Sequence, residues 1–229
     1  MHISTRNKLK NFGFRRYCPI CNSFLKYFKP PGGTGRPDAV CPVCGSYERH
    51  RLVWLFFKHK TSLFTHSLSM LHAAPENCFI RRLKARPNLQ YISIDLQSPL
   101  ADRKIDLTAL DFPSNSFDFF YAGHVLEHIP QDLQAISQIY RVLKPGGKAL
   151  IMVPISGQFT QEDPTITTPS QRKERYGQED HVRIYGDDFI QRLQSVPFQV
   201  QAIQYYSSFS KFSRRYMSLS PETIFYCTK

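Results

Sequence analysis

The chain has 229 residues, 41% of them apolar and 14% aromatic, which supports a packed core and excludes disorder over most of its length. Its net charge is +12, concentrated in the first 60 residues, where twelve Lys and Arg stand against only Asp38 and Glu48. Such a patch suits a phosphate-bearing or otherwise anionic partner, or simply keeps a small module soluble. The longest apolar stretches, residues 52–57 and 149–155, exclude a membrane-spanning helix, and MHISTRNKLKNF lacks the apolar segment of a secretion signal.

Residues 1–17 are basic and read as flexible. Next come two CxxC pairs, Cys18/Cys21 and Cys41/Cys44, separated by 19 residues. Between them residues 30–35, PPGGTG, forbid a helix or a long strand. Each CxxC turn sets two thiolates on one side of an ion, and two turns complete a tetrahedron, the set that zinc prefers. A shell closed by four cysteines leaves no place for water, so this zinc is structural. A redox dithiol pair is the alternative. Paired CxxC turns argue for metal over disulfides, and so for a reducing, cytoplasmic setting. Residues 48–64 read as a helix, with Trp54 as core between the ribbon and the main domain.

From residue 68 strands and helices alternate. SLSMLHAA is the first strand, 76–85 a helix, QYISID (90–95) the second strand, and 104–107 a short third. FDFFYAGH (117–124) is the fourth, 131–143 a helix, KPGG a turn, and KALIMVP (148–154) the fifth. Residues 155–185 form a long polar connection. A helix over 187–193 and strands near 198–205 and 223–228 complete the chain. This alternation predicts an α/β fold with a doubly wound, mostly parallel, seven-stranded sheet behind a small zinc ribbon. The expected division is 1–47 ribbon, 48–67 linker helix and 68–229 main domain.

Three pieces carry a resemblance: YISIDL (91–96), DLTALDFPSNSFDFFYAGHVLEHI (106–129) and RVLKPGGKALIMVP (141–154). Their order and spacing resemble the class I S-adenosylmethionine-dependent methyltransferase family, of the type 11 kind, over roughly residues 68–206. The resemblance implies S-adenosylmethionine as cofactor. Asp95, at the end of the second strand, is placed to accept from both ribose hydroxyls, with Leu96 beside it; a turn cap is the other reading. In the family the position of Asp106 accepts from the adenine amino group, and the next N–H, here Leu107, meets a ring nitrogen. Gly123 and His124 stand at the rim of the fourth strand, where ligands lie in open α/β sheets. His128 reads as packing at a helix start, and Asp118 as ordering the sheet. The departure is LHAAPEN (71–77) where the family has a glycine-rich turn. Ala73 and Ala74 are small enough for close approach, yet alanine does not take positive φ freely. Pro75 suits a helix start that attracts the cofactor carboxylate, and Glu76 its ammonium group. A subset of the class with an N-terminal CxxC pair shows a similar HxxPE turn.

In YGQEDHVRIYG (176–186) polar residues crowd a region that borders the acceptor in such enzymes. His181 is the first candidate for general base and His124 the second. Arg183 is expected to hold an anionic group of the acceptor, with Tyr185 beside it. Alternatively DHVR pins the loop by internal salt bridges. The expected function is methyl transfer to an oxygen or nitrogen of a small or glycan-like acceptor, with no membrane partner. One alternative is an rRNA or tRNA methyltransferase that holds RNA through the basic ribbon, as some bacterial rRNA enzymes pair a zinc module with this fold. The other is a non-catalytic zinc-ribbon protein with a degenerate methyltransferase fold.

Overall fold

The second cysteine turn needs a residue that tolerates a left-handed backbone, and Gly45 supplies it at φ +72°. Its N–H donates to the Cys41 carbonyl at 2.9 Å, and the Cys41 N–H to that of Ser46 at 2.9 Å, closing the knuckle. The computed structural model describes residues 5–32 and 37–229, so Gly33, Thr34, Gly35 and Arg36 of the PPGGTGR stretch lie outside the described residues. The N-terminal segment, expected to be flexible, forms a helix α1 (Thr5–Lys10) and then the hairpin β1 (Arg16–Cys18) and β2 (Ser23–Leu25). That hairpin carries the first knuckle.

Helix α2 (Glu48–Lys60) is shorter than expected; the Thr61 hydroxyl donates back to the Phe57 carbonyl at 2.7 Å and ends it. It buries eight consecutive residues, His50 to Phe57, so it is apolar nearly all round and needs cover on every side. Trp54 stacks on Phe79 of α3 (Asn77–Lys84) at 5.8 Å, and Phe56 meets Tyr205 edge-on at 5.2 Å. For that reason residues 76–89 and 204–222 fold into one compact unit with residues up to 67. The units therefore cut across the linear division expected from sequence. At the centre of this unit Arg51 is fully buried. Its guanidinium donates to the carbonyls of Ser46 at 2.7 Å, Ala39 at 3.0 Å, Met217 at 2.6 Å and Ser218 at 2.8 Å. It also lies over the Phe28 ring at 4.0 Å.

The second unit, residues 68–75, 90–203 and 223–229, holds the sheet. Its strands are β3 (Leu68–Ala73), β4 (Leu89–Asp95), β5 (Arg103–Lys104), β6 (Phe117–Gly123), β7 (Leu143–Met152), β10 (Gln199–Ile203) and β11 (Ile224–Thr228). The spatial order is β10-β11-β7-β6-β3-β4-β5. β3, β6 and β7 run parallel, as do β4 and β5, whereas β11 is antiparallel to both β7 and β10. The expected seven-stranded, mostly parallel sheet is therefore present. Helices α4 (Asp132–Val142) and α6 (Phe189–Leu193) pack on it through Ala135, Ile136, Ile139, Phe189 and Leu193. The KPGG turn does not separate helix from strand. It bulges within β7, where the register moves from Phe117↔Leu143 to Phe119↔Lys148 and Gly146 sits at φ +79°. Asp118 orders the sheet, its carboxylate accepting from the Ser69 N–H at 2.8 Å and from Lys144.

The long connection is not structureless. It contains β8 (Gln161–Glu162), paired antiparallel with β9 (Arg183–Ile184), and a helix α5 (Pro169–Tyr176). The signals for α5 are local: Thr168 accepts from the Gln171 N–H, Pro169 opens the first turn, and Gly177 closes it at φ +82°. Among the described residues no helix is long and apolar enough to cross a membrane.

Replacing Arg51 by Leu would leave four buried carbonyls short of a donor. We expect a loss of about 3–5 kcal/mol, measured by urea unfolding, since each unsatisfied group costs about 1–3 kcal/mol.

Candidate active site at the carboxyl edge of the sheet

Parallel strands end together, and the crevice beyond their carboxyl ends is where an open α/β sheet takes a ligand. Here the ends of β3, β4 and β6 surround a cavity of about 560 Å³. Ala73, Ala74, Asp95, Leu96, Asp106, Leu107 and His124 all line it, as do His128 and Asp180. Ile94, Ile105, Val125 and Ile129 give it apolar walls. The size suits a nucleoside-sized ligand.

The two acids are held alike. Asp95 Oδ1 accepts from the backbone N–H groups of Gln97 and Ser98, both at 2.7 Å. Asp106 Oδ1 accepts from the Thr108 N–H and hydroxyl, both at 2.8 Å. In each case one oxygen is fixed by the local turn, so the turn-cap and ligand-binding readings are compatible. Oδ2 of each makes no hydrogen bond among the described residues and remains available to accept one.

The turn after β3 departs from the expectation that alanine avoids positive φ. Ala74 sits at φ +51°, in the left-handed region, and its N–H donates to the Ile94 carbonyl at 2.9 Å. The backbone thus takes a left-handed conformation without a glycine, at a cost of about 1–2 kcal/mol. His124 is a second such residue, at φ +59°, with its N–H on the Met152 carbonyl at 2.8 Å. Both line the cavity, which is where strained backbone concentrates in functional sites. Gly123 ends β6 one residue earlier. Glu76 belongs to the other unit, where its carboxylate lies 3.8 Å from His50 Nε2.

The loop after β6 brings together a cluster that sequence spacing hides. Glu127 is 1% exposed, and its Oε1 lies 3.5 Å from His124 Nδ1. His128 and His181 meet edge-to-face at 4.7 Å between ring centroids. Ligand atoms of Glu127, His128 and His181 all fall within 4.8 Å of one another. His128 therefore does more than pack a helix start: it lines the cavity. His181, expected to face the acceptor, does not line the cavity, being only 5% exposed. The reason is a backbone bond, Val182 N–H to the Glu127 carbonyl at 2.9 Å, which draws the loop down onto residues 126–128. Burial, and then the neighbouring His128 ring, hold the His181 imidazole below its usual pKa.

Arg183 and Tyr185 correct the expectation of acceptor contacts. Arg183 is 4% exposed, and its donors are used internally: Nε to Glu162 at 2.8 Å, Nη1 to the Leu126 and Ile129 carbonyls, Nη2 to that of Pro130 at 2.8 Å. Tyr185 is fully buried and donates to Asp132 at 2.7 Å; burial, with the Asp132 charge, pushes its phenol pKa up. Arg192 completes the clamp by bonding both Asp132 and Glu162. Arg183 does pin the loop by salt bridges, and its partners Asp132 and Glu162, shared with Arg192, were not legible as a group because they lie far apart in sequence.

In the other unit the four cysteines converge. Cys18 and Cys44 Sγ are 3.7 Å apart, as are those of Cys21 and Cys41. A disulfide would need about 2.0 Å. A tetrahedron with metal–sulfur bonds of about 2.3 Å has edges of about 3.8 Å, so this donor set fits one ion.

Residues 66–151 match the family described as the methyltransferase domain. Together with the strand order, this match gives residues 66–151 the fold of a class I methyltransferase domain. Similar proteins then fall into two groups. Phosphoethanolamine N-methyltransferase 2 of Caenorhabditis elegans is 39% identical over 67 residues, 29% of this chain and 15% of that protein. Demethylmenaquinone methyltransferase of Listeria welshimeri is 49% identical over 39 residues, 17% of this chain and 16% of that one. The chain thus matches only about one sixth of the length of these relatives. Among solved structures, an S-adenosylmethionine-dependent methyltransferase from Mesorhizobium loti has a TM-score of 0.52 at 12% identity, over 78% of this chain and 98% of that one. The phosphoethanolamine N-methyltransferase 2 of Haemonchus contortus, in complex with S-adenosyl-L-methionine, has 0.52 at 16%, over 80% and 52%. The [4+2]-cyclase SpnF has 0.55 at 14%, over 89% and 85%.

This geometry generates three expected outcomes. Ala74→Gly should keep cofactor affinity and shift stability by less than about 1 kcal/mol, since relief of the left-handed strain is offset by a more flexible unfolded chain, whereas Ala74→Val should cost about 1–2 kcal/mol, because a β-branched residue resists positive φ. Arg183→Met should cost about 3–5 kcal/mol by leaving the Ile129 and Pro130 carbonyls without their donor. Burial raises the Glu162 pKa, but Arg183 and Arg192 outweigh it and hold it below the usual range. The clamp should therefore be complete above about pH 4.3 and loosen as pH falls through the lowered value, read as growing protease sensitivity of the loop.

Proposed function

We propose that the chain is an S-adenosylmethionine-dependent methyltransferase that modifies an oxygen or nitrogen of a small or glycan-like acceptor. The observation that carries this reading is the pair Asp95 and Asp106, each with a spare oxygen, on the wall of one cavity with apolar sides. In it Asp95 receives the ribose hydroxyls, Asp106 with the Leu107 N–H receives the adenine edge, and Ala73 and Ala74 lie against the amino-acid part. When bound, the cofactor supplies a methyl group already activated on a sulfonium. The protein's task is then to align the acceptor and remove a proton where the acceptor is a hydroxyl. His124 takes that role in preference to His181, because it lines the cavity and Glu127 lies against its Nδ1. His181 instead supports the loop from behind. The two curated relatives, both named for small-molecule acceptors, favour the same acceptor class.

The four cysteines hold a structural zinc in this reading, and a reducing, cytoplasmic compartment fits free thiolates. Calorimetry with S-adenosylmethionine tests the assignment. We expect binding by the native chain and a ten- to hundredfold weaker Kd for Asp95→Ala, the loss of about 1.5–3 kcal/mol set by hydrogen bonds to a charged group. No binding by the native chain would leave the alternative, a degenerate fold with a binding role.

A second reading has its own support. Phe12, Phe14, Phe24, Tyr17, Tyr216 and Phe212 form a chain of ring contacts with centroids 5.0 to 6.3 Å apart, four of the rings well exposed. Arg15, Lys26, Lys29 and Lys211 are exposed in the same unit. Aromatic faces among basic residues suit single-stranded RNA, by stacking and phosphate attraction. In that case RNA affinity should fall steeply between about 50 and 200 mM salt, and by about 1–3 kcal/mol for Phe14→Ala. Affinity indifferent to both would remove RNA as acceptor.

A further inference from the structure

A buried carboxylate and two imidazoles on one short segment and its covering loop are an unusual thing to enclose. A buried carboxylate is accommodated by pairing, as Glu127 is with His124 at 3.5 Å, and also by coordinating a metal. Glu127, His128 and His181 bring three ligand atoms within 4.8 Å of one another, a spacing that small side-chain rotations close onto one ion at about 2.1 Å. Two histidines and one carboxylate form a recurrent set for divalent first-row metals and leave coordination positions open.

The surroundings of His128 point the same way. Histidines that bind metal usually donate their other ring N–H to a carboxylate or a backbone carbonyl, which fixes the ring. His128 Nδ1 lies 3.2 Å from the Asp180 carboxylate, and the His181 ring packs edge-to-face on that of His128 at 4.7 Å. Glu127 itself is locked by its backbone bond to Val182, and the Arg183 clamp holds the carbonyls of residues 126, 129 and 130 on either side. His128 and Asp180 also line the cavity, so an ion here is reached from the ligand space.

We propose that Glu127, His128 and His181 form a divalent-metal site at the cavity wall, distinct from the four-cysteine cluster, which takes the oxygen of a hydroxyl acceptor. This use of the site rests on the methyltransferase reading; the site itself does not. It narrows the acceptor to a hydroxyl, because a metal lowers the pKa of an oxygen it binds. The acceptor O–H bond breaks with its proton passing to His124. The O–CH3 bond forms as the methyl–sulfur bond of the donor breaks, and that electron pair stays on sulfur. S-adenosylhomocysteine and the methyl ether leave, and His124 returns its proton to water. A four-cysteine shell could not serve, since it has no open position.

Zinc content after reconstitution with excess Zn2+ and desalting, measured by plasma mass spectrometry on the full chain, tests the site. The native chain should hold two ions, and His128→Ala one. His128 is partly exposed, so this variant should fold; circular dichroism checks it, and Glu127→Gln, which keeps the shape, provides a second variant that should also hold one. Asp180→Asn should keep the site but weaken Zn2+ binding roughly ten- to hundredfold. One zinc in the native chain, or two in both folded variants, would overturn the proposal. Two ions without S-adenosylmethionine binding would keep the metal site and sink the methyltransferase reading. One ion with cofactor binding would do the reverse.

Discussion

The loop after β6 is held by ionic bonds to residues far away in sequence, and the candidate site depends on them. Arg183 gathers the carbonyls of Leu126, Ile129 and Pro130, while Asp132 is shared with Arg192 and Tyr185 and Glu162 with Arg192. Without that clamp a polar stretch following a buried strand would have no reason to keep one shape. With it, His124, Glu127 and His128 are placed at the carboxyl edge of the sheet. A buried network of this kind is costly unless every member is satisfied. Here nearly every Arg183 donor has an acceptor, so rigidity is gained where the chemistry requires it.

A similar logic governs the other unit. The hairpin and knuckle at the N-terminus are too small to build a core of their own. Four converging thiols, spaced as a single ion would need them, and the buried Arg51 with its four carbonyl contacts stand in its place. Arg51 reaches residues 39, 46, 217 and 218, so the cysteine segment and the late segment 204–222 are bound through one side chain.

The cavity combines a rigid floor with strained edges. Ala74 and His124 both adopt left-handed backbone conformations that glycine would hold more cheaply. At Ala74 the small side chain still allows a ligand to approach, and at His124 the same conformation brings an imidazole to the rim. The strain is carried by parallel strands whose hydrogen bonds fix the residues on either side, His124 to Met152 and Ala74 to Ile94.

Residue order alone determined the seven strands of the main sheet, the cysteine pairs and the places of Asp95 and Asp106 at strand ends. Each of these is a local signal: period two, a CxxC spacing, an acid at a strand end. Even α5 was legible, from Thr168, Pro169 and Gly177, although the polarity of its surroundings masked it. What only the tertiary structure decided was direction and partnership. Arg183 and Tyr185 looked like acceptor ligands because polar residues crowded one stretch, yet they turn inward to Asp132 and Glu162. His181 looked like the exposed base, yet a single backbone bond to residue 127 places it behind His128. Local spacing fixes which atoms can sit near the sheet edge, but long-range pairing decides which of them face the cavity, because a buried charge goes wherever its partner lies and not where its sequence neighbours are.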